Sequence, residues 1–120
     1  MTRRVRLQRL PGKEEILGQV ALADTFWTRF QGWMGRSTIG PQDALLLLRT
    51  PAIHTWFMRR PIDVVILSKN GEVLAVRASV VPWRMLSPMA GAGHALELGA
   101  GGAERLSIRV GDRLGWEPDP

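Results

Sequence analysis

The residues best able to do chemistry are concentrated between Ile53 and Leu67. This stretch holds His54 and Asp63, and an imidazole with a carboxylate is a pair that general acid–base catalysis uses. Other interpretations stay open for both side chains. His54 can be a structural histidine that satisfies neighbouring polar groups. Asp63 can accept backbone N–H bonds at a turn, or it can pair with an arginine at the mouth of a pocket.

A second set of residues indicates binding, because tryptophan, methionine and arginine are residue types that interfaces favour. Five apolar side chains are candidates for one groove: Trp56, Met58, Trp83, Met85 and Met89. Five polar side chains are candidates for its rim: Arg36, His54, Arg59, Asp63 and Arg84. The occupant would be a protein, a peptide or a small anionic ligand. The alternative is that Trp56 and Met58 fill the core while the rim charges are solvated.

No pattern in the chain predicts a metal or a cofactor. The side chains able to ligate a metal are His54, His94, Asp63, Glu97 and Asp112, but no His-x-His or His-Glu-x-x-His spacing occurs. By parity, His94 and Glu97 fall on opposite faces of a short strand. The absence of cysteine excludes disulfides and thiolate chemistry. No serine lies in a Gly-x-Ser-x-Gly elbow, so a nucleophilic hydrolase is disfavoured.

The length of 120 residues and the apolar content of 45% suit one domain with one core. We expect an edge-strand region over 1–17, a core over 18–116 and a short tail over 117–120. No apolar run approaches the ~20 residues of a membrane span, and the basic start lacks the apolar segment of a secretory signal. The expected location is the cytoplasm, with no membrane partner.

The formal net charge is +5, and 14 of the 16 basic residues are arginine. A basic balance suits nucleic acid or an acidic partner. Most of the arginines are scattered, however, and the one cluster is Arg3, Arg4, Arg6 and Arg9. Nucleic-acid binding through this cluster is therefore the third-ranked hypothesis. The same first strand, if exposed, could pair across a homodimer.

Alternating apolar residues predict strands over 3–10 and 15–23, which could form a hairpin. A uniformly apolar run predicts a buried strand at Ala44–Leu48, and alternation predicts another over Ile53–Met58 with Phe57 and Met58 on opposite faces. The pair Asn70-Gly71 favours a hairpin between Val64–Leu67 and Glu72–Val81. Shorter strands are expected over 94–98 and 113–116.

One helix is predicted over Phe26–Met34, with Asp24 or Thr25 as its N-cap. An extended loop is expected over 82–93, because prolines and glycines interrupt it. About seven short strands with one short helix indicate a mainly β fold, a small antiparallel barrel or sandwich-like domain.

Several short segments resemble one known family, the domain of unknown function 192 (DUF192) family. The segments that carry the resemblance are Thr28–Arg36, Ile53–Met58, Pro61–Val64, Gly71-x-Val73, Ala95–Leu98 and Gly111-Asp112. The resemblance covers about residues 18–116. It implies a compact β-rich fold, and it implies no activity and no catalytic residues.

The leading hypothesis is a non-catalytic binding or accessory module, with no cofactor. An enzyme that uses His54 and Asp63 is the alternative.

Overall fold

The computed structural model describes residues 3–25, 28–29, 32–36, 38–40, 43–87 and 89–118. Nine strands and one short helix, α1, have bounds within this part of the chain. The strands are β1 (Arg4–Leu10), β2 (Glu14–Ala23), β3 (Ala44–Leu47), β4 (Ile53–His54), β5 (Ile62–Ser68), β6 (Val73–Val80), β7 (Met85–Leu86), β8 (Ala92–Gly99) and β9 (Arg113–Pro118). Helix α1 covers Gly102–Arg105. The predicted mainly β class is confirmed.

Seven strands form one sheet in the order β6-β5-β8-β3-β2-β1-β9. All neighbours are antiparallel except β2 and β3, which run parallel. The sheet curls until its two edges come close, and an isolated bridge between Glu72 and Arg113 joins them. Because the edge strands share no longer ladder among the described residues, the sheet is open and is not a closed barrel.

The core has two apolar layers, one on each face of the sheet. This is possible because β3 is buried at every position and β5 at six of its seven. The inner layer, enclosed by the curl, includes Leu7, Val20, Leu46, Val65, Leu96 and Leu114. The outer layer includes Trp33, Leu47, Met58, Val64, Ile66 and Ala95. A side chain on β5 or β8 therefore enters one layer or the other according to its parity.

The two predicted hairpins are present. Strands β1 and β2 pair antiparallel, with Val5 beside Val20. Strands β5 and β6 also pair, and the turn between them contains Gly71 at φ 86°. A side chain at this φ is strained, so the Asn-Gly signal had a physical basis. The Ser68 hydroxyl oxygen accepts the Glu72 N–H at 3.0 Å and stabilises the same turn.

The predicted strand Ile53–Met58 is wrong beyond its first two residues. Strand β4 ends at His54, and a turn follows in which Phe57 has φ 62°. The predicted loop 82–93 contains strand β7, which pairs with β4 so that Ile53 lies beside Leu86. A two-stranded ribbon therefore connects two segments that are about 30 residues apart in the chain.

The predicted helix Phe26–Met34 lies partly outside the described residues, which omit Phe26, Trp27, Phe30 and Gln31. Thr28 and Arg29 are helical. The Thr28 N–H donates to the Thr25 hydroxyl oxygen, and the Arg29 N–H donates to the Thr25 carbonyl oxygen. Thr25 therefore acts as the N-cap, one of the two residues predicted for that position.

Candidate functional site

Hydrogen bonds from Thr55 stabilise the ribbon formed by β4 and β7. Its side chain is fully buried; its hydroxyl accepts the Arg84 N–H at 2.8 Å and donates to the Val81 carbonyl at 2.8 Å. The Thr55 carbonyl accepts the Trp83 N–H at 2.9 Å. The structure thus brings the 53–58 segment and the Trp83 loop together.

An exposed aromatic pair forms where these segments meet. The Phe57 and Trp83 side chains are 55% and 59% exposed, and their ring centroids lie 4.8 Å apart in an edge-to-face arrangement. Both residues have a left-handed backbone, with φ of 62° and 67°. Each such residue costs about 1 kcal/mol or more, and this kind of strain clusters at functional sites. Sequence reasoning missed Phe57, because alternation along a strand had placed it away from Trp56 and Met58.

Neighbouring residues in the 53–58 segment have other roles. Met58 is 5% exposed and belongs to the outer core layer, so its assignment to an open groove is wrong. Trp56 is half-buried and lies against the His54 ring, with centroids 5.0 Å apart. The His54 Nδ1 accepts the Trp56 N–H at 3.2 Å. His54 thus satisfies a local backbone group, which fits its structural interpretation.

The chain segments that carry the aromatic pair have a net positive charge. Arg59 and Arg84 are exposed. No aspartate or glutamate occurs in residues 44–62 or 73–96, which include the whole ribbon. We call the exposed side chains Phe57, Val81, Trp83 and Met85, with Arg59 and Arg84 beside them in sequence, the aromatic surface. Met89, another predicted groove residue, is 38% exposed and lies in the loop before β8.

Asp63 lies on the other side of the sheet. It is 1% exposed, and its two oxygens accept the backbone N–H groups of Ser79 at 2.9 Å and Ala103 at 3.0 Å. Asp63 points to the inner face because the next residue along β5, Val64, packs in the outer layer. His54 lines a cavity on the outer face, so the sheet separates it from Asp63. The structure does not support these two residues as an acid–base pair or Asp63 as a groove residue.

Glu97 is the unexpected ionisable residue of the outer layer. It is 3% exposed, and its Oε1 has no hydrogen-bond partner among the described residues. Burial raises its pKa to about 8, so the carboxyl is protonated at neutral pH. An isolated acid within the predicted apolar strand 94–98 was the available signal, but only the fold shows which side chains cover it.

A cavity of about 20 Å³ lies against Glu97. Its other lining residues include Arg29, Gly32, Trp33, Thr50, His54 and Met58. This volume suits about one water molecule. The described residues contain no group of three or more side chains that could hold a metal ion. The prediction that His94 and Glu97 face opposite ways agrees with the structure, since the His94 ring contacts Trp116 at 5.4 Å, away from the cavity.

The comparison with protein families identifies this chain. Residues 8–116 match the DUF192 family model, described as "Uncharacterized ACR". The chain belongs to the DUF192 family. The predicted resemblance is therefore confirmed.

Curated relatives of this DUF192 chain include a UPF0127 protein of Pyrococcus furiosus, 39% identical over 106 residues. That match covers 86% of this chain and 90% of the relative. A UPF0127 protein of Thermococcus sibiricus is 33% identical over 107 residues, covering 83% of this chain and 67% of the relative.

Two solved structures are similar to the whole DUF192 fold, each at 26% identity. One is a Sinorhizobium meliloti protein described as a candidate transcription regulator, with a TM-score of 0.78 and coverage of 97% and 94%. The other is a Novosphingobium aromaticivorans protein described as being of unknown function, with a TM-score of 0.77 and coverage of 96% and 85%. None of these descriptions names a reaction.

Residues 32–36, the end of a DUF192 motif segment, form a turn beside the outer layer, to which Trp33 belongs. The Gly35 N–H donates to the Phe57 carbonyl at 2.8 Å, which ties this turn to the aromatic surface. The Arg36 guanidinium pairs with Asp43 at 3.0 Å and lies 5.7 Å from the Trp33 ring centroid. Arg36 was predicted to line the rim of a groove with Trp56 and Trp83. In the structure, Asp43 and Trp33 hold its guanidinium beside the 32–36 turn. In the described residues, no helix is long and apolar enough to cross a membrane.

Three arginines of the basic cluster in this DUF192 chain have acidic partners. Arg3 pairs with Asp24 at 2.7 Å, and Arg6 pairs with Glu117 at 3.4 Å. Arg9 lies 3.8 Å from an Asp112 carboxylate oxygen. These local partners reduce the positive charge available to a phosphate backbone.

Proposed function

We propose that this chain is a non-catalytic binding module that recognises an acidic protein segment on its aromatic surface. The observation that carries the proposal is the exposed Phe57–Trp83 pair, held on strained backbone beside arginines in two segments without acidic residues. Contiguous exposed apolar patches mark interaction sites, whereas scattered exposed apolar residues do not.

The expected binding mode follows from these groups. An apolar anchor of the partner would pack against Phe57 and Trp83, since aromatic residues dominate binding energy at interfaces. Carboxylates beside that anchor would pair with Arg59 and Arg84. The fixed ribbon favours this mode. The Thr55 carbonyl accepts the Trp83 N–H and the Phe57 carbonyl accepts the Gly35 N–H, so both aromatic residues are in place before the partner arrives.

Two alternatives have less support. The enzyme hypothesis needs His54 and Asp63 together, and they lie on opposite faces of the sheet. The similar protein described as a candidate transcription regulator gives nucleic-acid binding some support. However, Arg3, Arg6 and Arg9 already pair with carboxylates in this chain. The single-domain boundaries and the cytoplasmic location stay predictions.

The test is selection from a displayed random-peptide library on the immobilised full chain, followed by affinity measurement with the selected synthetic peptides. We expect the peptides to combine an aromatic or aliphatic residue with aspartates or glutamates. Phe57→Ala and Trp83→Ala should each weaken binding about 30-fold, as for an interface hot spot.

Val110→Ala is the matched control, since Val110 is 65% exposed in a turn that follows α1. It should leave the affinity within about twofold. Circular dichroism of each variant checks the fold. Selected peptides without acidic residues, or equal affinities for all three variants, would contradict the proposal.

A further inference from the structure

Arg4 differs from the other arginines of the first strand. Arg3, Arg6 and Arg9 each lie within 4 Å of a carboxylate oxygen. The described part of the chain offers Arg4 no ion pair and no side-chain hydrogen bond, and its side chain is exposed. Its guanidinium therefore carries a positive charge that the fold does not neutralise.

Arg4 shares a recess with Arg36. Two adjoining hollows of about 280 and 190 Å³ lie on the outer face of β2, and both are lined by Arg4, Ala21, Trp33 and Arg36. Thr28 lines the larger hollow, and Gln19 and Asp43 line the smaller one. We call this place the arginine recess. Two arginines and a tryptophan line it, with Thr28 and Gln19 among its other lining residues.

Arg36 is held in position at the recess. Its Nη2 donates to Asp43 Oδ2 at 3.0 Å, and its guanidinium carbon lies 5.7 Å from the Trp33 ring centroid. The single bond to Asp43 leaves further N–H donors for a ligand. Asp43 Oδ2 also accepts the Gly40 N–H at 2.7 Å, so this carboxylate oxygen is already occupied by two donors.

We infer that the arginine recess binds a small oxyanion of the phosphate class. Two arginines that line one volume suit a doubly charged oxyanion, because a guanidinium group can donate two parallel N–H bonds. A volume near 280 Å³ accommodates a small molecule and is too small for a folded partner. Asp43 opposes the anion by like charge, which should keep affinity modest. The inference is independent of the partner proposed for the aromatic surface.

The test is titration of the full chain with sodium phosphate near neutral pH, at ionic strength held constant with chloride. Binding is followed by NMR on the Trp33 indole N–H, assigned with a Trp33→Phe variant. We expect a saturable shift. Arg4→Gln and Arg36→Gln should each weaken binding at least about tenfold, because each removes charge-assisted hydrogen bonds.

Two further variants sharpen the test. Arg77→Gln removes the same charge from an exposed position on β6 and should change affinity less than about twofold. Asp43→Asn removes the opposing carboxylate and should tighten binding. Since Arg4→Gln leaves the Arg36–Asp43 pair untouched, its effect does not depend on whether Arg36→Gln folds.

A short single-stranded oligonucleotide supplies the same phosphate group from a polymer. A free phosphate that saturates the shift, with loss in Arg4→Gln, supports a small-molecule site. The inference is overturned by a linear, non-saturating shift or by equal weakening in Arg77→Gln. It is also overturned by a response to the oligonucleotide alone.

Discussion

Glu97→Gln should make the protein more stable at neutral pH and should flatten its pH dependence. In the folded state the Glu97 carboxyl keeps its proton up to a pKa of about 8, because burial penalises the charged form. In the unfolded chain it releases the proton at its ordinary value of 4.5. The unfolded state therefore binds fewer protons between these two values, and the free energy of unfolding falls as pH rises.

The magnitude follows from the interval between the two pKa values. The stabilising contribution of the protonated carboxyl is fully present below 4.5 and is lost as pH rises through about 8. Each pH unit in that interval costs about 1.4 kcal/mol. At pH 7 the wild type should therefore have lost about 3 kcal/mol relative to its stability in mild acid, which is a large fraction of a typical domain's total.

Glutamine has the shape of the protonated acid and cannot ionise. The assay is urea unfolding followed by tryptophan fluorescence, for both proteins, from about pH 5 to about pH 8. We expect the stability difference in favour of Glu97→Gln to grow by about 3.5 kcal/mol across this range. His94, whose pKa is lowered mainly by burial, titrates in both proteins and cancels in the difference.

Among the described residues, Arg29 and His54 are the other ionisable side chains that line the cavity. Repeating the series in a His54→Gln background removes the imidazole from the comparison. A stability difference that stays constant from pH 5 to pH 8 would refute the reasoning, since it would mean that Glu97 releases its proton at the same pH in both states.

Three further substitutions and one control test the supports of the fold and the site by the same unfolding assay. Thr55→Val keeps the side-chain shape but leaves the groups that bonded the hydroxyl unpaired, and it should cost about 1–3 kcal/mol; a neutral result would mean that the hydroxyl does not fasten the ribbon. Gly71→Ala should cost at least about 2 kcal/mol, since its φ is 86° and its added methyl group would collide with the Leu114 carbonyl. Gly35→Ala should cost about 1–2 kcal/mol from its φ of 78° alone, while Gly12→Ala, where neither a neighbouring atom nor a positive φ opposes the methyl group, should cost far less.

Much of the fold was predictable because its signals are local. Asn70-Gly71 specifies its own turn, and the apolar run Ala44–Leu47 must be buried wherever it lies. The mainly β class was predicted from the number of such strand segments along the chain. The open sheet was harder to predict, because closure depends on how the distant edges at Glu72 and Arg113 meet.

The candidate site was harder to predict because it depends on a long-range contact. Alternation along a strand placed Met58 with Trp56 and placed Phe57 on the other face. In the structure the chain turns after His54, and the turn is held by bonds from Thr55 to residues 81–84. Those bonds join segments far apart in the sequence, and strand alternation cannot predict them. Alternation therefore assigned Met58 to the groove, although Met58 is buried and Phe57 is the exposed residue.

The turn over residues 32–36 explains why a buried acid, an aromatic surface and an arginine recess occur close together. Gly32 and Trp33 line the cavity at Glu97 and also line the arginine recess, so this turn is the wall between them. Gly35 bonds to the Phe57 carbonyl. A displacement of the turn would at once expose Glu97 to water, remove the hydrogen bond that supports Phe57, and move Arg36. The aromatic surface and the arginine recess therefore share this short segment as a support, in addition to the strands beneath them.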